Sequence, residues 1–210
     1  MQIKTVFQVA LLVTVSGVAH GGVILSENFD AAVPNPVQAG NISNTVFAAL
    51  PGDAVDVIGD QNGSFFLCPF GSGTNCVDLV GNNGTPSGIT SIPSFSVVGG
   101  QAYHLTFDAA GTGGFAFTWD GSVGFGADTF LYSVSSSASN LVWDFTPVAN
   151  EANVHLVFND LTAPNGVNGI AVDNIVLSTT PVSTNPTPEP ASMLMLGAGL
   201  AAIYAARRQR

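Results

Sequence analysis

The chain has 210 residues and a formal net charge of −10, because 14 Asp and Glu stand against 4 Lys and Arg. The basic residues lie near the two ends: no Lys or Arg occurs between residues 22 and 188, and this body carries every carboxylate except Glu189. Such a body repels phosphate, which argues against nucleic acid or an anionic membrane face as a partner and favours cations.

Residues 1–21 have the three parts of a secretory signal peptide. Lys4 lies in a short polar start, an apolar run follows from residue 6 to residue 15, and small residues precede the cleavage site. Cleavage by signal peptidase after Ala19 or Gly21 fits this pattern. A permanent membrane helix is the alternative, but the apolar run is shorter than the ~20 residues that span a bilayer. We therefore predict that the protein is exported.

Export places the two cysteines in an oxidising compartment. Cys68 and Cys76 are close in sequence, with a Pro- and Gly-containing stretch between them. An even pair in an exported chain predicts a local disulfide. A metal site built on two thiolates would need further ligands, and neither His104 nor His155 has the neighbouring spacing for one.

Residues 22–178 form the body, which is long enough for one substantial domain. Tyr103, Leu105 and Phe107 alternate with polar residues, as in a half-buried strand, and the same rhythm recurs at residues 115–119, 141–145 and 154–158. Asn-Gly and Gly-rich clusters separate these stretches, and no stretch has a convincing helical period. The body is predicted to be all-β, an antiparallel β-sandwich or jelly roll.

The body offers few groups for catalysis. His104 and His155 lie in alternating stretches without evident catalytic partners, and no Gly-x-Ser-x-Gly elbow occurs, so we assign no catalytic residue. The alternative is a secreted polysaccharide hydrolase that uses paired carboxylates such as Asp108 and Asp144. That alternative requires the two carboxyl groups to lie about 5 to 10 Å apart in a cleft.

Sugar binding calls for an exposed aromatic ring beside polar groups. Trp143 alternates with Leu141 and Phe145, which predicts a core position. Trp119 ends its stretch beside an Asp-Gly turn, so its ring could stand at a loop tip. We take Trp119 as the candidate ligand platform, with burial as the alternative.

The C-terminal part begins with a Ser-, Thr- and Pro-rich linker at residues 179–187, whose composition does not support a core. Three segments follow it: Pro188-Glu189-Pro190, an apolar stretch at residues 191–206, and a basic tail of Arg207, Arg208 and Arg210. A helix over the apolar stretch is about 24 Å long, short of a ~30 Å hydrocarbon core. The arginines should stay cytoplasmic, which places the body outside.

Residues 188–210 resemble the PEP-CTERM sorting signal, in which a Pro-Glu-Pro motif, a short transmembrane stretch and a basic cluster end the chain. The resemblance implies recognition by an exosortase, a membrane-embedded cysteine protease or transpeptidase that would cut at or near Pro188-Glu189-Pro190. It also implies a Gram-negative-type bacterium, with the protein transiently anchored in the inner membrane and then released to the cell surface. A plain C-terminal anchor with a chance Pro-Glu-Pro is the alternative.

Three stretches of the body, residues 76–81, 99–108 and 169–177, resemble the jelly-roll ectodomains of PEP-CTERM proteins. Those domains are similar in turn to galactose-binding-like and carbohydrate-binding modules. The chain departs from them at residues 111–114, where such domains often continue with an Asn-rich loop. We therefore expect a non-catalytic surface or extracellular-matrix protein, whose jelly roll contributes adhesion, association with exopolysaccharide or a passive scaffold.

Calcium is the expected cofactor, because carboxylates and carbonyls are its preferred ligands. Residues 60–64 begin like a calcium loop, but Gly71 stands where an EF-hand has its closing acid. The resemblance to carbohydrate-binding jelly rolls implies a structural calcium where the terminal strands meet, held by Glu27, Asp30 and Asp173. A solvated acidic edge is the alternative at that position. Calcium-dependent self-assembly is a further alternative for the function.

Overall fold

A computed structural model of the chain describes residues 21–38, 42–59, 68–71, 74–80, 87–112, 117–162 and 168–179. The predicted signal peptide up to residue 20, the linker from residue 180 and the whole sorting segment lie outside these residues, as do residues 60–64. Within the described residues, no helix is long and apolar enough to cross a membrane.

All regular structure in the described residues is β-strand. The strands are β1 (Val23–Glu27), β2 (Asn35–Gln38), β3 (Phe47–Ala49), β4 (Val55–Gly59), β5 (Asn75–Asp78), β6 (Gly88–Ser91), β7 (Phe95–Val97), β8 (Tyr103–Gly111), β9 (Trp119–Phe125), β10 (Asp128–Val134), β11 (Ser139–Phe145), β12 (Glu151–Val154), β13 (Leu156–Asp160) and β14 (Ile170–Thr179).

The strands form two large antiparallel sheets and a small one. Sheet A has seven strands in the order β11-β8-β14-β5-β4-β2, and β1 pairs with β14 beside β5. Sheet B has five strands in the order β10-β9-β13-β6-β3, and β12 pairs with β7 separately. The first strand therefore lies against the last one, which brings the two ends of the body together.

One apolar core joins sheets A and B, because alternate residues of each strand point inward. In β8 the inward residues Leu105 and Phe107 are fully buried, whereas the intervening residues are half-buried. Phe107 meets Phe158 of sheet B edge to face, with ring centroids 5.1 Å apart. A buried Phe contributes roughly 1.5–3 kcal/mol. The predicted all-β sandwich is confirmed.

Two predicted strands differ in detail. The stretch at residues 154–158 is divided between β12 and β13, because His155 leaves the ladder and its Nδ1 lies 2.7 Å from the carbonyl oxygen of Ser91. The hydroxyl of Ser91 accepts the amide hydrogen of Leu156. At residues 115–119 a strand begins only at Trp119, and residues 115 and 116 lie outside the described part.

Candidate functional site

The predicted disulfide is confirmed between Cys68 and Cys76, whose Cα atoms are 5.9 Å apart. Cys76 pairs with Ile58, and together with Ala171 and Phe70 they form a second, small apolar cluster. The neighbours Val57 and Val77 point into the main core, so this cluster lies on the outward face of sheet A. The bridge thus covers the outer face where β4, β5 and β14 meet.

Beside the bridge lies the acidic corner, which consists of Glu27, Asp30, Asp108 and Asp173. Asp173 stands directly opposite Asp108 in the β14–β8 ladder and is only 1% exposed. The ladder is irregular just after Asp173, and Asn174 there adopts a left-handed backbone with φ 49°. The Asn174 amide donates to Asp173 Oδ1 at 2.7 Å. The bulge thus supplies a backbone donor to a carboxyl that strand pairing has buried.

Burial raises the pKa of Asp173 to about 7. The Asn174 hydrogen bond lowers that pKa, and the nearby carboxylates of Asp30, Asp108 and Glu27 raise it further. Glu27 and Asp30, the other two residues of the predicted calcium set, therefore both act electrostatically on Asp173. A cation at this corner would relieve both the repulsion and the cost of burying a charge.

The carboxylates of the corner already accept hydrogen bonds. Glu27 Oε1 accepts the Phe29 amide and Oε2 accepts the Val46 amide, each at 2.9 Å. Asp30 Oδ2 accepts the Asn28 side-chain amide at 2.8 Å. In the described part of the chain, no group of three or more His, Cys, Asp or Glu side chains is arranged to hold a metal. The donor chemistry suits calcium, and the calcium site remains a prediction.

Hydrogen-bonded polar side chains cross the outward face of sheet A over β11, β8 and β14. This polar ladder consists of Asp108, Asn140, Asn174, His104 and Asp144. Asp108 accepts one hydrogen bond from Asn140 Nδ2 and one from Asn174 Nδ2, both at 2.8 Å. Further along, His104 Nδ1 lies 2.5 Å from Asp144 Oδ1. Because the body has no Lys or Arg, Asp108 is stabilised by side-chain amides and Asp144 by a histidine.

The register between β8 and β11 shows whether Asp108 and Asp144 are close enough to form the carboxylate pair of a hydrolase. Asp144 lies opposite His104, whereas Asp108 lies four residues further along β8. At ~3.3 Å per residue the two positions are about 13 Å apart along the strand. Retaining and inverting glycosidases need roughly 5 to 9.5 Å between carboxyl groups. Asp108 and Asp144 therefore do not form the predicted pair.

The structure corrects the prediction for Trp119. Its side chain is fully buried, and the ring reaches across the core to occupy the space beside Gly111 of the opposite sheet. A side chain at Gly111 would collide with it. A ring without an exposed face cannot stack on a sugar, so the ligand role of Trp119 is withdrawn. Trp143 is buried in the core, as predicted.

Sequence reasoning missed two further buried carboxyls, Asp78 and Asp160, which are 2% and 3% exposed. Burial raises the pKa of Asp78 to about 7 and that of Asp160 to about 6. Each ends its strand and accepts a backbone amide two residues on, Asp78 from Val80 at 3.0 Å and Asp160 from Thr162 at 2.8 Å. An Asp closing an apolar strand is the sequence signal of such a turn.

Comparison with known proteins identifies the C-terminus. Residues 186–209 match the family model of the PEP-CTERM protein-sorting motif. No curated protein matches the chain. The sorting motif covers the Pro-Glu-Pro, the apolar stretch and most of the basic tail, and it marks an exported protein that is sorted to the cell envelope.

Solved structures resemble the body. An arabinose-bound α-L-arabinofuranosidase, MgGH51, has a TM-score of 0.52 and 11% identity, with 75% of this chain and 27% of that chain covered. The tandem CBM22-1–CBM22-2 domain of Xyn10C from Paenibacillus barcinonensis has a TM-score of 0.50 and 14% identity, with coverages of 83% and 50%. The chain thus spans no more than half of either structure. At these identities the likeness shows the fold.

The chain therefore carries a PEP-CTERM protein-sorting motif at its C-terminus, behind a β-sandwich with the fold of carbohydrate-binding modules.

Proposed function

We propose that this is a non-catalytic surface protein of a Gram-negative-type bacterium, cleaved by signal peptidase and exosortase, whose sandwich associates with exopolysaccharide. The observation that carries the proposal is the sorting motif at residues 186–209 on a body with a carbohydrate-binding-module-like fold. The motif supports sorting to the cell envelope, and the fold supports association with a polysaccharide there.

The charge of the body supports a neutral polysaccharide as the partner. No Lys or Arg lies between residues 22 and 188, so an acidic or sulfated chain would be repelled. The polar ladder adds amide and carboxylate groups that suit sugar hydroxyls. Asn140 and Asn174 present side-chain amides at the surface, and Asp144 is exposed further along β11.

A non-catalytic role is supported by the state of the candidate groups. Asp108 is held by two amides, Asp144 is paired with His104, and the two carboxylates are too far apart for glycoside hydrolysis. His155 lies against the carbonyl of Ser91. Each of these candidate groups is thus occupied by a structural contact.

Calcium at the acidic corner is a separate part of the proposal. Bound there, it would hold β1 against β14 through Glu27, Asp30 and Asp173 and offset the repulsion among them. Its role would be structural, so it would raise the stability of the body and need not change polysaccharide binding. Calcium-dependent self-assembly would instead appear as oligomers that chelation disperses.

The deciding experiment is retention of the exported, purified protein by polysaccharides of different charge. The probes are the producing organism's exopolysaccharide, neutral xylan and a sulfated glycan, each with calcium and with EDTA. We expect retention by the exopolysaccharide or by xylan in both conditions and none by the sulfated glycan. The Asn140→Ala variant, which removes an exposed amide of the ladder, should bind more weakly. Failure to bind any probe would refute the polysaccharide proposal.

A further inference from the structure

The two large sheets end side by side at free edges. β10 pairs with β9 alone and β11 pairs with β8 alone, so among the described strands each has one side without a neighbour. Both strands are seven residues long and follow one another in the chain. Each free side presents backbone N–H and C=O groups that are able to pair with another strand.

These edges lack most of the features that usually prevent edge-to-edge association, although each strand carries one Asp. Neither strand contains Lys or Pro, and the registers with β9 and β8 run without a bulge. At the centre of the two strands stand Leu131, which is 69% exposed, and Val142, which is 48% exposed. An exposed, regular edge with an apolar residue at its centre is a template for another strand.

The two edges are also aligned with each other across the sandwich. Phe130 of β10 stacks on Trp143 of β11, with ring centroids 6.0 Å apart and planes at 14°. Since the chain reverses between the two strands, the residues beside these rings, Leu131 and Val142, stand at the same height. One two-fold axis perpendicular to the sheets can therefore pass beside the centres of both strands, between each strand and its copy.

Pairing about that axis would be self-complementary. Antiparallel pairing centred on Leu131 sets Asp128 opposite Val134 of a second copy. Pairing centred on Val142 sets Asp144 opposite Asn140. No carboxylate meets another carboxylate directly, which is the arrangement that would oppose strand pairing.

From these observations we infer that β10 and β11 bind a second copy of this chain, edge to edge, so that both sheets continue across a two-fold axis. A seven-residue strand is about 23 Å long and stacked sheets are ~10 Å apart, which places the contact below the ~1,200 Å² of standard interfaces. The dimer should therefore be weak. It should strengthen with ionic strength, because salt screens the repulsion between two bodies that each carry 13 Asp and Glu and no Lys or Arg.

Sedimentation velocity of the exported protein in EDTA, from low to high micromolar concentration, tests the inference separately from calcium. We expect reversible dimers whose fraction rises with salt. Val142→Lys and Leu131→Lys place a charge on exposed central positions and should weaken association at least tenfold. Val148→Lys, at a 99% exposed site outside any strand, is the matched control and should associate like the wild type.

Hydrogen exchange provides a second measurement, in which the amides of β10 and β11 should become protected as concentration rises. A wild-type protein that stays monomeric at every concentration and salt level would overturn the inference, as would edge variants that associate normally. Association that appears only when polysaccharide is added would also overturn it and make the glycan the occupant of this edge. Polysaccharide binding is measured on its own, so the two proposals fail separately.

Discussion

The three buried carboxyls predict an unusual dependence of stability on pH. The pKa values of Asp78 and Asp173 rise to about 7 and that of Asp160 to about 6 in the folded protein, against a usual value near 3.8. The native state therefore binds more protons than the unfolded chain between about pH 4 and pH 7. Their contribution to stability is complete below pH 4 and is lost as pH rises through 6 to 7.

The magnitude follows from Asp78, which is 2% exposed. A rise from 3.8 to about 7 corresponds to about 4 kcal/mol, at 1.36 kcal/mol per pKa unit. For a domain of this size, that is a fall in Tm of roughly 10 °C between pH 4.5 and pH 8. Removal of the buried charge by Asp78→Asn should abolish most of this fall, because the amide oxygen can still accept the Val80 hydrogen bond.

Thermal and urea unfolding between pH 4.5 and pH 8 measure the effect directly. The Asp78→Asn variant should match the wild type at low pH and exceed it at pH 8. Asp128→Asn, at a more accessible Asp, is the matched control and should keep the wild-type slope. General repulsion among the carboxylates also lowers stability as pH rises. The comparison of Asp78→Asn with Asp128→Asn therefore separates the effect of the buried carboxyl from that of general repulsion. Stability that rises with pH, or an unchanged slope in Asp78→Asn, would refute the assignment.

Three further predictions concern the core, the bridge and the acidic corner. Gly111→Ala should destabilise the fold by about 1–3 kcal/mol in urea unfolding, because the added methyl group meets the Trp119 ring. Replacing Cys68 and Cys76 together by Ser should cost about 2 kcal/mol, as expected for a short loop, without changing the far-UV spectrum. If calcium occupies the corner, EDTA should lower the Tm of the wild type by a few degrees, roughly 2–4 °C per kcal/mol, and should not affect Asp173→Ala. Equal melting of the wild type with and without calcium would remove the calcium proposal.

Strand alternation made most of the fold predictable. Tyr103, Leu105 and Phe107 define β8 in the sequence, and their burial against the opposite sheet follows from period two. The disulfide was equally predictable from the sequence, because export and the proximity of Cys68 and Cys76 leave few other partners. These features depend on residues that are near one another in the chain.

The site was less predictable, because burial depends on distant residues. Trp119 is buried because Gly111, on a strand of the other sheet, leaves room for its ring. Asp78 alternates like a surface residue, whereas Asp160 shares the inward face of β13 with Leu156 and Phe158, and the strands around both carboxyls exclude water. The separation of Asp108 and Asp144 depends on the register between β8 and β11, which the sequence does not specify.

Export and sorting through the C-terminus are tested most directly by intact-mass analysis of the protein isolated from the cell surface. We predict an N-terminus at residue 20 or 22, a mass reduced by 2 Da for the Cys68–Cys76 bridge, and loss of the C-terminal segment at or near Pro188-Glu189-Pro190. A Glu189→Ala variant should keep its C-terminus and remain in the membrane. A surface protein that still ends in Arg210 would contradict the account.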